Sequence, residues 1–171
     1  MNILDDRLSV LPNSTCFYLS QITWQLPASL AAADDRTVLA ALITEPRYDH
    51  DYATPYNGRP QDVHGPFRLD VITPDDFHRC TGVHALDILQ SWSRELTYPY
   101  WSRDTWLACN EPISAWAWPT LASAETLYQL AVPRQGNEHS WGWVVGFGGF
   151  HEFVAIDRTH CRVTLLNATD D

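Results

Sequence analysis

Along "TCFYLSQITWQL", residues 15–26, apolar side chains fall at Cys16, Tyr18, Ile22, Trp24 and Leu26, all even-numbered positions. A period of two places them on one face of an extended chain, so the pattern predicts a strand. "PASLAAADD" follows and reads as a short helix with Pro27 in its first turn, where a missing N–H costs nothing. The run Arg36–Thr44, "RTVLAALIT", is apolar enough for a buried strand or for part of a helix, and periodicity does not separate the two. "FRLDVIT", from Phe67, is strand-like. "TPDD" then supplies an N-cap threonine, Thr73, with Pro74 and acids in the first turn.

The clearest helical signal is "TGVHALDILQSWSREL". Ala85, Leu86, Leu89, Trp92 and Leu96 recur at three- and four-residue spacing, while Asp87, Gln90, Ser91 and Arg94 face away. Pro99 ends the pattern. Residues 99–119 are aromatic-rich and irregular, with at most a short helix near Asp104, and Thr120–Leu130 reads as another helix. In the last third, "SWGWVVGFGG", "FHEFVAID" and "CRVTLLNA" read as three strands. The turn "DRTH" joins the last two, with Asp157 accepting from the turn amides. Pairing across it is expected to set Ile156 against Cys161 and Val154 against Val163, with Phe153 and Thr164 on the other face. Glu152 then falls on the apolar face, opposite Leu165. There it either reaches solvent from a frayed strand end or is a buried carboxylate of the kind found in active sites.

These elements predict an α+β fold. An antiparallel sheet ends in a C-terminal β-meander, about residues 140–168, and packs against two or three helices in a single domain, 1–171. One long segment interrupts them. "PRYDHDYATPYNGRPQDVHGP", Pro46 to Pro66, has four prolines, three tyrosines and no apolar run. Proline holds the chain extended and removes donors, so 46–66 is expected as a surface loop. Loops of this length are uncommon and usually functional or disordered. Tyrosines among acids are what protein-binding patches use, so Tyr48, Asp49, Asp51, Tyr52, Tyr56 and Asp62 are candidate binding residues, with Trp101 and Trp106. The alternative is a loop folded back so that its tyrosines cover the sheet.

Composition narrows the chemistry. Twenty-one acids against eleven bases give a formal charge of −10, which repels nucleic-acid phosphates and favours a basic protein partner. All eleven bases are arginine. Without lysine there is no Schiff base, no pyridoxal phosphate linkage and no P-loop lysine, which excludes kinases and P-loop NTPases. The four cysteines stand singly, with no CxxC. There is no signal peptide and no membrane-length apolar run, so a cytoplasmic, reduced protein without a membrane partner is expected.

No cofactor motif is present. His151 and Glu152 are neighbours on a strand and point to opposite faces, so they form no acid–base dyad. Gly142, Gly146 and Gly148 leave one face of a strand bare, a feature of close packing as much as of a ligand site. Asp49, His50, Asp51, Asp62 and His64 form one mixed set of metal-ligating types, and His78, Cys80 and His84 another. Neither has a recognised ligand spacing, and no metal site is assigned. None of the cysteines sits in a glycine-rich turn or at an obvious helix N-terminus, where a thiolate would be stabilised; Cys80, just before the main helix, is a partial exception.

Three functions are consistent with this chain. The first is a small acidic binding module that neutralises a basic partner, as the immunity proteins of bacterial toxin systems do; this is a likeness of class, carried by no motif. The second is a small-molecule hydrolase, cyclase or isomerase. Its pocket would be lined by Trp101, Trp106, Trp116 and Trp118, with Glu152 or Asp104 as acid or base. The third is a subunit of a larger assembly, such as a homodimer formed through an open sheet edge. The first is favoured.

Overall fold

In the computed structural model, residues 1–10, 17–48, 62–95, 110–139 and 149–170 are described. One antiparallel sheet of six strands organises them: β1 (Asn2–Val10), β2 (Phe17–Gln25), β5 (Phe77–Cys80), β6 (Thr126–Leu130), β7 (Phe150–Asp157) and β8 (Arg162–Asp170). Their order across the sheet is β1-β2-β8-β7-β6-β5, so the last four strands form an antiparallel meander. A two-stranded ribbon, β3 (Val63–His64) with β4 (Phe67–Arg68), stands apart. The α+β class and the C-terminal meander are as the sequence predicts. The expected meander strand "SWGWVVGFGG", with Gly142, Gly146 and Gly148, lies outside the described residues apart from its last glycine.

Both faces of the sheet are covered. Against one face pack α1 (Ala28–Ala31), α2 (Asp35–Ile43) and the chain around Tyr48, Phe67 and Ile72, burying Ile22, Trp24, Val154, Ile156, Val163 and Leu165. Against the other pack α3 (Gly82–Glu95), a π-helical turn (Ile113–Ala117) and α4 (Trp118–Ser123), burying Leu19, Phe153, Leu166 and Ala168. Arg36–Thr44 resolves as helix α2 through Ile43. Asp34 caps it by accepting from the Thr37 N–H at 2.7 Å, and Val38, Leu39 and Leu42 turn inward. In α3, Ala85, Leu89 and Trp92 are buried, as their spacing predicts.

One strand is added to the expected elements and three local expectations are corrected. The N-terminus forms β1, an element that the charges of Asp5, Asp6 and Arg7 conceal from a periodicity test; an edge strand tolerates them because both of its faces approach water. "FRLDVIT" is extended only at Phe67–Arg68 and then turns into a 3-10 segment, Leu69–Val71. The expected helix Thr120–Leu130 breaks at Ala124, and Thr126–Leu130 is β6, where pairing with β5 and β7 outweighs the helix propensity of leucine and glutamine. The register of the last hairpin is displaced by two residues: Ile156 faces Val163, Val154 faces Leu165, and Glu152 faces Asn167. The turn is Arg158–Cys161, with Cys161 at φ 49°, one residue further along than expected. A displacement of two preserves the faces, so Glu152 still shares its face with Val154 and Ile156.

Candidate functional site

Glu152 sits near the start of β7 with no solvent exposure, on the apolar face where the register places it. A buried carboxylate needs partners on both oxygens. Tyr48 Oη donates to Oε1 at 2.8 Å, and His64 Nε2 meets Oε2 in a short contact. Both partners are themselves fully buried. His64 Nδ1 contacts the Tyr48 carbonyl, which can only accept, so Nδ1 is the donor there. The Tyr48 and His64 rings stack, centroids 3.8 Å apart and planes 5° from parallel.

Local chain geometry delivers the two partners. After α2 the chain turns, with Tyr48 N–H donating to the Glu45 carbonyl at 2.8 Å, and Tyr48 drops onto the sheet. His64 is carried by the β3–β4 ribbon, whose turn uses Gly65 at φ 53°. A Cβ at Gly65 would lie 2.3 Å from the Phe150 ring, so only glycine fits there. Phe150 closes the site edge-on to His64 and Phe67, at centroid distances of 5.6 and 6.0 Å. On the outer side, His139 Nε2 bonds the Gly65 carbonyl at 2.9 Å.

The candidate residues of the sequence divide accordingly. Tyr48 is inside, so the folded-back alternative applies to it and it cannot serve as a surface anchor. Asp62 is exposed, at φ 65°, on the far stem. Asp49, Asp51, Tyr52, Tyr56, Trp101, Trp106 and Asp104 lie outside the described residues, as does His50. His64, the partner that matters most, stands out in the sequence only as a member of a metal-ligating set. It lies 88 positions from Glu152, and no local pattern links the two.

No family model, curated protein or solved structure matches this chain. Its chemistry is therefore read from geometry alone.

A cleft of about 640 Å³ opens on the opposite face of the sheet, with Gln21, Thr23 and Thr164 on its floor and Trp116 and Pro119 on its wall. Two pairs of its polar groups bond each other: Thr120 donates to Gln21 at 2.9 Å, and the Thr23 and Thr164 hydroxyls lie 3.0 Å apart. Trp116 and Trp118 pack on this side, away from Glu152. The expected catalytic pocket, tryptophans around an inward Glu152, is thus not assembled among the described residues. Burial pushes the Cys80 thiol up to about 11, which argues against a stabilised thiolate there. His78 and His84 are exposed, and no group of three metal-ligating side chains converges among the described residues. No described helix is long and apolar enough to cross a membrane.

Proposed function

We propose that this protein is an acidic binding module that neutralises a basic protein partner, as toxin-immunity proteins do. The observation that supports this best is the clasp that joins Tyr48 to His64 near the two ends of the 46–66 segment. Its two stems, at Tyr48 and His64, are fastened to each other and to one buried carboxylate. The anchors that flank residues 49–61 in the sequence, where Asp49, Asp51, Tyr52 and Tyr56 lie, are thereby fixed. Fixing the base of a binding segment lowers the ordering cost of association.

Charge supports the same reading. Arg7, Arg36, Arg47, Arg68, Arg134 and Arg158 are each ion-paired with an aspartate or glutamate. With six of the eleven arginines so engaged, the surplus acids of the −10 chain, Asp62 among them, dominate the outward field. Such a field speeds encounter with a basic surface and disfavours nucleic acid. The compartment that fits is the cytoplasm, and no cofactor is invoked.

The test is capture from native lysate on the tagged protein at low and high salt. A near-stoichiometric basic protein, retained at low salt and weakened at high salt, supports the proposal. It should also be lost with the combined replacement of Asp49, Asp51, Tyr52 and Tyr56 by alanine. Retention of nothing, or of a partner indifferent to those four residues, sinks it.

A further inference from the structure

We propose that two copies of this chain pair through β1, antiparallel and edge to edge, joining their sheets about a two-fold axis at Asp6. The two edges of the sheet are unlike. β5 offers four residues, with His78 and Arg79 exposed, the short and charged form that discourages pairing. β1 offers nine residues and, among the described residues, pairs with β2 alone. It also carries Ile3, Leu4 and Leu8 at 46, 49 and 61 % exposure, which with Val83 are the exposed large hydrophobic residues among those described. A long open edge with exposed apolar residues is a template for another strand, provided that the partner matches its central charges, Asp5, Asp6 and Arg7.

Asp5 and Arg7 pair with each other at 2.6 Å within the single chain, and a second copy of β1 offers each of them the same partner across the edge. Asp5 and Arg7 lie on the same face, opposite Thr23 and Gln21 of β2. Directly opposed residues in an antiparallel pair share a face. Centring the two-fold axis on Asp6 therefore sets Asp5 of each copy against Arg7 of the other, giving two complementary pairs. Moving the axis to Arg7 would oppose arginine to arginine. Asp6 meets its own copy at the axis, and each Asp6 is already bonded to Arg47 at 2.8 Å, which offsets that repulsion. The same register brings exposed Leu8 beside the exposed Ile3–Leu4 region of the partner copy, so apolar surface is covered as the charges pair. The inference is independent of the basic-partner proposal, because β1 takes no part in the Tyr48–His64–Glu152 clasp.

Sedimentation equilibrium on the full chain tests it with Asp5→Arg and Arg7→Asp, each checked for native circular dichroism. The wild type is expected to be dimeric and each variant alone monomeric. An equimolar mixture of the two should form a heterodimer, seen by native mass spectrometry, because every cross-strand pair is then complementary. The exchanged double variant, Asp5→Arg with Arg7→Asp, should dimerise like the wild type, and Leu8→Glu should not. A wild type that stays monomeric at the highest concentration reached overturns the proposal. So does a dimer that survives both single reversals, or a mixture and a double variant that both fail to restore pairing.

Discussion

Tyr48 and His64 stack face to face, 3.8 Å between centroids, while both reach the carboxylate of Glu152. Three residues from separate parts of the chain thereby satisfy one another in a region without water access. Removing one member takes a partner from buried polar groups, which is the costly direction for such a network.

Glu152→Ala should therefore destabilise the fold by about 3–5 kcal/mol, the range for breaking a buried pair from one side. Glu152→Gln keeps an acceptor for Tyr48 and should cost less. Tyr48→Phe removes one hydrogen bond to a carboxylate and should cost about 1.5–3 kcal/mol. Urea denaturation of the three variants, with equal m-values, would show this order; a Glu152→Ala protein as stable as the wild type would contradict the clasp.

Gly65 and Gly136 both have positive φ, 53° and 82°, but only Gly65 has a ring against it. Alanine at Gly136 meets nothing within 4 Å and should cost only the backbone strain, about 1–2 kcal/mol. Alanine at Gly65 adds a clash with Phe150 beneath His64, so its melting temperature should fall further. Equal shifts in thermal melts of the two variants would rule out the close approach as the cause.

Burial lowers the imidazole of His151 from its ordinary value near 6.5. The unfolded chain then holds more protons between that value and the lower folded one. Stability falls as pH drops through this interval and levels off below it. His151→Gln should remove that part of the slope, so the difference between wild-type and variant unfolding free energies should change between neutral pH and about pH 4. A flat difference would mean that His151 does not titrate differently on folding.

With its thiol raised to about 11, Cys80 is roughly one part in a thousand thiolate at about pH 8. Iodoacetamide should label it far more slowly in the native protein than in urea. Peptide mapping by mass spectrometry reads the two rates, and native labelling as fast as unfolded would place the thiol in a different environment.

Much of the architecture is legible in local pattern. The period of two in β2, β7 and β8 and the three-to-four spacing of α3 each follow from one side of an element meeting apolar surface. Where two propensities compete, pattern is silent or misleading. Arg36–Thr44 became a helix because Asp34 caps it, and Thr126–Leu130 became a strand because β5 and β7 flank it. β1 carries charges that hide its period and is extended because β2 pairs with it along its length.

The candidate site divides in the same way. Sequence alone determined that Glu152 would share a face with Val154 and Ile156, because alternation along a strand survives a register error of two. It also determined the acidity, the all-arginine cation set and the unusual 46–66 segment. Only the tertiary structure decided that Glu152 is buried, that Tyr48 turns inward, and that His64 completes the clasp from 88 positions away. The physical reason is that a strand's facing is a local property of its backbone. Which distant groups satisfy a buried charge depends on the packing of the whole chain.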